Sequence, residues 1–209
     1  GFGDPMLEFN INIIGPKAQI NLVDLMRYEP GFSLDLMMDI GIPIGEYNDT
    51  LALNLGGNRW YGRLAAPIIW QIGPWVPGRR TTLEFLPAVW LFGDNTDFLG
   101  QTMKTDPILQ LDAHLSRDIT HNFWASLDGA WFNGGKATID TLEGTKLNNI
   151  ALGITLGYQI NENISLTFGY KSTINDDAAD ALKMDGFMVT LVYGWHPLIE
   201  GMKRLKESE

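Results

Sequence analysis

Every second residue from Phe123 is apolar or small: Phe123, Ala125, Leu127, Gly129 and Trp131. Between them lie Trp124, Ser126, Asp128 and Ala130. A two-residue period puts the two sets on opposite faces of an extended strand. The same alternation recurs nine times, over about 5–14, 31–44, 59–72, 81–92, 107–116, 122–132, 148–160, 164–173 and 186–195. None of the nine apolar faces carries a charged, amide, Ser or Thr side chain. Strands repeated in this way predict an all-β chain whose simplest architecture is a closed antiparallel barrel. The barrel is read over 1–195, with a tail over 196–209.

The connections alternate as well. Gly73–Arg80, Arg117–His121 and Ile160–Asn163 are short, whereas those after the second, fourth, sixth and eighth strands are long and polar. Outer-membrane barrels have short periplasmic turns and long extracellular loops, which places the end of the ninth strand in the periplasm. Gly15–Pro30 breaks the rule by its length, and Asn21 to Tyr28 within it reads as a short helix stopped at Pro30. Bacterial single-chain barrels have even strand numbers with both ends periplasmic. Nine strands therefore predict missing N-terminal strands and a full barrel of ten or, preferably, about twelve.

Periodicity alone does not say which face is inside. A soluble barrel or sandwich would turn the apolar face inward. Two features favour lipid outside. Trp60 and Trp70 stand at opposite ends of one apolar face, about 25 Å apart along a tilted strand, the height of an outer-membrane apolar band between its aromatic girdles. Tyr158, Tyr170, Tyr193 and Trp195 sit toward strand ends in the same way. The polar face, moreover, holds Asp35, Asp39, Arg63, Glu84, Gln110, Asp112, His114, Asp128 and Lys171, which a dry core would have to pair and a wet lumen tolerates. These nine are the expected pore-lining residues. Pro67 and Pro87 fall mid-strand, where a missing donor weakens the ladder.

Composition narrows the function. A net charge of −10 over 209 residues argues against nucleic-acid binding. No apolar run reaches the ~18 residues of a membrane-spanning helix, and a mean hydropathy of −0.04 is what alternate exposure of strand residues to lipid gives. The chain has no cysteine, no phosphate-binding glycine loop and no metal-ligand spacing, so neither cofactor nor metal is expected. Asp112, His114 and Ser116 lie in a row on one strand face, about 7 Å apart at each step, which does not build a converging catalytic triad. No enzyme is expected. Asp94, Asp97 and Asp106, and separately Asp176, Asp177 and Asp180, read as solvated loop carboxylates rather than cation sites. Arg59 either holds a loop over the pore mouth or anchors at headgroup level. The tail carries Leu198, Ile199, Met202 and Leu205 on one helical face, and is either an amphipathic helix contacting the membrane surface or a periplasmic protein partner, or a solvated end.

Several short segments carry a family resemblance. They are Gly1-Phe2-Gly3-Asp4-Pro5, Tyr28-Glu29-Pro30-Gly31, Pro43-Ile44-Gly45-Glu46-Tyr47, Asn54 through Trp60, Phe92 through Phe98, and Trp124-Ala125-Ser126-Leu127-Asp128 leading to Gly134-Gly135. Together they resemble the MetA-pathway of phenol degradation family of outer-membrane proteins. The resemblance implies a Gram-negative outer-membrane β-barrel, in contact with lipid and lipopolysaccharide, that passes aromatic or other small hydrophobic solutes. The expectation is a channel for passive uptake; the alternative is a plugged structural barrel anchoring a periplasmic or surface partner.

Overall fold

The computed structural model describes residues 1–17, 29–175 and 185–194. In chain order the strands are β1 (Met6–Ile14), β2 (Phe32–Gly41), β3 (Tyr61–Ala65), β4 (Ile68–Gln71), β5 (Thr81–Phe92), β6 (Asn95–Phe98) and β7 (Gln101–Thr105). There follow β8 (Ile108–Asp118), β9 (Phe123–Gly134), β10 (Ala137–Ile139), β11 (Leu142–Glu143), β12 (Leu147–Gln159), β13 (Ile164–Thr173) and β14 (Asp185–Tyr193). One antiparallel sheet runs β1-β2-β3-β5-β8-β9-β12-β13-β14, with β4 between β2 and β5. All pairings are antiparallel, and the order across the sheet follows the order along the chain, as in hairpins joined in series. Among the described residues β1 and β14 each pair on one side.

The sheet turns its greasy side chains outward. Leu36, Leu64, Leu111, Leu127, Ile154 and Phe168, all on the apolar parity, are exposed, Leu127 to 62%. Among the described residues the buried hydrophobic ones are only Met37, Ala65 and Ala130, while Asp39, Gln110, Ser126 and Asp128 are buried. A protein folded around an oily core shows the reverse. The polar parity is thus the covered, inner face, and the apolar parity the open, outer one.

The predicted third strand, 59–72, is two strands, broken at Ala66 and Pro67. The second proline explains why the sheet tolerates the break. Pro87 accepts from Ala66 N at 3.0 Å, and in an antiparallel ladder a residue's N and O address the same neighbour. Pro87 therefore aims its missing donor at the break itself. Pro67 still accepts from Asp35 N at 2.9 Å, so β2 remains attached there.

Two of the long connections are not irregular as expected. The β5–β8 and β9–β12 segments contribute β6, β7, β10 and β11 to a second, four-stranded sheet at the long-loop end. The expected helix at Asn21 to Tyr28, Trp195, the cluster Asp176, Asp177 and Asp180, and the tail 196–209 lie outside the described residues.

Two glycines on the inner wall carry aromatic rings flat against them. A Cβ at Gly41 would fall inside the Tyr61 ring, and one at Gly157 inside the Trp124 indole. Both are directly paired neighbours across the ladder, Gly41↔Tyr61 and Gly157↔Trp124. The missing side chain lets each ring lie along the wall instead of across the interior.

Candidate functional site: an aromatic chamber above a polar girdle

The register places the inner-face side chains in rows across the sheet. Asp39, Arg63 and Trp90 are successive partners on β2, β3 and β5. Arg63 Nε donates to Asp39 Oδ2 at 2.5 Å, and the guanidinium lies 4.9 Å from the centre of the Trp90 ring. Trp90 Nε1 donates to Gln110 Oε1 at 2.5 Å, and Gln110 Nε2 to Asp112 Oδ2 at 2.5 Å. A single connected girdle therefore crosses four strands.

A second cluster lies on β8, β9 and β12. His114 Nδ1 is 2.6 Å from Asp128 Oδ1, which also accepts from Ser126 Oγ at 2.7 Å. Thr155 Oγ1 donates to the other oxygen, Oδ2, at 2.5 Å. His114 is thus oriented across the strand pair by Asp128, not along its own strand by Asp112. Ser126 binds the carboxylate rather than the imidazole, so its hydroxyl is not lined up on His114 as a nucleophile on its base would be.

The remaining expected lining residues fall on the same face. Asp35 accepts from Asn12 Nδ2 at 2.5 Å. Glu84 stands opposite His114 and borders a cavity of about 260 Å³ at the short-turn end with Trp75, Arg80 and Asp118. Lys171 faces Gly153 and Gly186 in the ladder. On the outer face, Trp60 and Trp70 are 58% and 50% exposed, Tyr158 51% and Tyr193 70%. Tyr170 packs on Phe187 with ring centres 4.8 Å apart. Trp60 lies just ahead of β3 rather than within it.

One feature of the inner face is concealed by the alternation between apolar and polar residues. A cavity of about 660 Å³ opens at the long-loop end of the wall, lined by Tyr61, Trp90, Phe92, Ile108, Gln110 and Phe132. All six belong to the polar parity of β3, β5, β8 and β9. The other side is formed by loop residues Asp4, Asn54 to Gly57 and Arg59. Arg59 donates from Nη1 to Thr105 Oγ1 at 2.7 Å and stacks 4.9 Å from the centre of Phe92. Burial draws its pKa below the ordinary arginine value and Asp94 opposes that shift; the group remains a cation.

The loops over this chamber are fixed by side chains. Asp4 accepts from Gly45 N at 2.8 Å through one oxygen and from Gly57 N at 2.7 Å through the other. Asn95, 1% exposed, donates to Tyr47 Oη at 3.0 Å and Gly57 O at 3.2 Å. Its Oδ1 accepts from Asn58 Nδ2 at 3.1 Å and Asp97 N at 3.0 Å. The short segments that are far apart in sequence, around Asp4, Gly45, Gly57 and Asn95, thus converge on one loop cluster. Asp94 lies 3.4 Å from Lys104, in a surface ion pair.

Residues 1–191 match the model of the family described as "Putative MetA-pathway of phenol degradation". The chain belongs to this family. No curated protein matches it. Among solved structures it is similar to the outer membrane channel from Pseudomonas putida F1, with a TM-score of 0.69 at 18% sequence identity. The similarity covers 91% of this chain and 65% of that one, so the chain spans about two thirds of the neighbour's length. The fold of the family member described here is accordingly the antiparallel barrel type, and its outward apolar and inward polar faces are those of a membrane barrel wall.

Proposed function

We propose that the protein is an outer-membrane channel through which small hydrophobic or aromatic solutes pass down their gradient. The observation that carries this reading is the inverted side-chain distribution: a continuous apolar face in the open and a hydrogen-bonded polar face under cover. Such a wall is stable where hydrocarbon bathes one side and water the other, because backbone groups between paired strands are used in the ladder instead of being left to lipid. Eight strands of the main sheet run 9 to 13 residues, enough for a tilted crossing of the ~30 Å hydrocarbon layer. The family's association with phenol degradation and the channel named in the structural neighbour support the same reading.

The interior fits passage of weakly polar solutes. An aromatic chamber at the long-loop end gives a flat-ringed molecule contact area, and the girdle beneath it offers donors and acceptors most of which already pair with one another. Such groups do not hold a solute tightly, which passage requires. Reconstitution tests it: liposomes carrying the folded full-length protein should swell in iso-osmotic phenol or benzyl alcohol faster than protein-free ones, and planar bilayers should show discrete conductance steps. An electrically silent barrel that admits none of these solutes would return the protein to an anchoring role.

A further inference from the structure

Among the described residues three arginines lie over aromatic rings: Arg63 over Trp90 at 4.9 Å, Arg80 over Trp75 at 5.3 Å, and Arg59 over Phe92 at 4.9 Å. Two of them carry a carboxylate in direct contact, Asp39 at 2.5 Å from Arg63 and Asp118 at 2.6 Å from Arg80. Arg59, half-buried, has none within ion-pair distance among the described residues. It donates to a neutral hydroxyl, that of Thr105, and the carboxylate whose field it feels, Asp94, is in contact with Lys104 instead. Asp4, the acid that shares the chamber, spends both oxygens on backbone N–H groups of Gly45 and Gly57. A partly desolvated guanidinium with unused donors is left facing a cavity walled by aromatic rings.

We propose that Arg59 and this chamber bind an aromatic carboxylate, the carboxylate on the Arg59 fork and the ring among Trp90, Phe92 and Phe132. The geometry of the groups selects this class. Guanidinium offers two parallel N–H donors that match a carboxylate, and the rings give stacking faces a short aliphatic acid cannot use. A volume of about 660 Å³ lies within the range of small-molecule sites and accepts one- or two-ring acids. The chamber is at the long-loop end, so in the channel reading on which this proposal rests it is the first station a solute meets.

The test uses the full-length protein in detergent and in planar bilayers, with benzoate, benzyl alcohol and acetate as probes. Tryptophan fluorescence should report benzoate binding at least about tenfold tighter than either acetate or benzyl alcohol. Arg59→Gln should weaken benzoate about tenfold and leave benzyl alcohol unchanged; Arg59→Lys should recover only part of the loss, since a lysine lacks the fork. Phe132→Leu should weaken both ring-bearing probes and spare acetate. Benzoate no tighter than benzyl alcohol, or unaltered in a folded Arg59→Gln barrel, overturns the proposal. Conductance in the same bilayers separates the two readings. A conducting barrel indifferent to benzoate removes the site and leaves the channel, while a silent barrel that binds benzoate through Arg59 keeps the site and removes the channel.

Discussion

Removing Arg63 should cost far more than removing the charge it neutralises. The Asp39 side chain is 0% exposed and that of Arg63 15%, with 2.5 Å between them. Asp39 Oδ1 accepts no hydrogen bond from the protein among the described residues, so Arg63 is the carboxylate's one ionic partner there. Arg63→Met leaves a buried anion without its cation, a loss of about 3–5 kcal/mol. Asp39→Asn is milder. The amide carbonyl still accepts from Arg63, whose cation keeps the Trp90 face and some contact with water, so about 1–3 kcal/mol is expected. The double variant removes both charges and should lose less than the sum of the two single variants, by a coupling energy within about 0.5–3 kcal/mol. Urea titration of the folded barrel in short-chain lipid vesicles measures each step. With a slope of about 1–3 kcal/mol per molar urea, Arg63→Met should lower the midpoint by at least about 1 M. Equal losses in the two single variants, with the double showing their sum, would refute the argument that the cost arises from a stranded buried anion.

Three further outcomes follow from other parts of the structure. Leu127→Arg puts a cation at a 62%-exposed position on the middle of the outer face; in lipid vesicles it should cost about 2–4 kcal/mol, and a change within about 0.5 kcal/mol, usual for water-facing sites, would mean that the face does not meet hydrocarbon. Asn95→Ala removes the side chain that joins Tyr47, Gly57, Asn58 and Asp97. Protease cleavage between residues 42 and 57 should rise several-fold while the urea midpoint of the barrel holds, and unchanged cleavage would show that Asn95 does not pin the loops. Gly157→Ala drives a methyl into the Trp124 indole, which should cost about 1–3 kcal/mol and alter the near-ultraviolet circular dichroism. An unaltered spectrum would show that the ring does not lie on the glycine.

The strands were legible because each has a different environment on its two faces, and a period of two survives any local irregularity that does not shift the phase. The break at Pro67 is such an irregularity. β3 and β4 both pair with β2 and β5, and Leu64 and Trp70 both keep to the outer face, so the sequence pattern runs through the interruption unchanged. The second sheet was not legible for the complementary reason. Its strands have two to five residues, too few for a period to appear, and the pairing of β7 with β10 joins two loops that are distant in sequence. Specific ion pairs escaped as well. Parity placed Asp39, Arg63, His114 and Asp128 on one face, but only register decides that His114 meets Asp128 rather than Asp112.

The chamber was hidden by a chemical assumption rather than by lack of signal. Trp90 and Phe92 share parity with Glu84, Tyr61 with Arg63, and Phe132 with Ser126 and Asp128, so the period already assigned these rings to the inner face. Reading aromatic residues as girdle elements directs attention to the outer face, where Trp60 and Trp70 stand, and away from a cluster whose rings come from three strands. What distinguishes the two populations is not residue type but what the alternate positions carry. An aromatic ring in phase with carboxylates and amides on its own strand shares their water-filled side, and where several such rings fall at the same end of neighbouring strands they enclose a space. Arg59 follows from the same logic one step further out. The residue ahead of an outward Trp60 lies on the inward phase, at the rim of that space, with its charge not yet matched by an acid in contact. The phase of a barrel strand thus locates an inner chamber as directly as it locates the outer face, provided the rings are sorted by their neighbours two residues away.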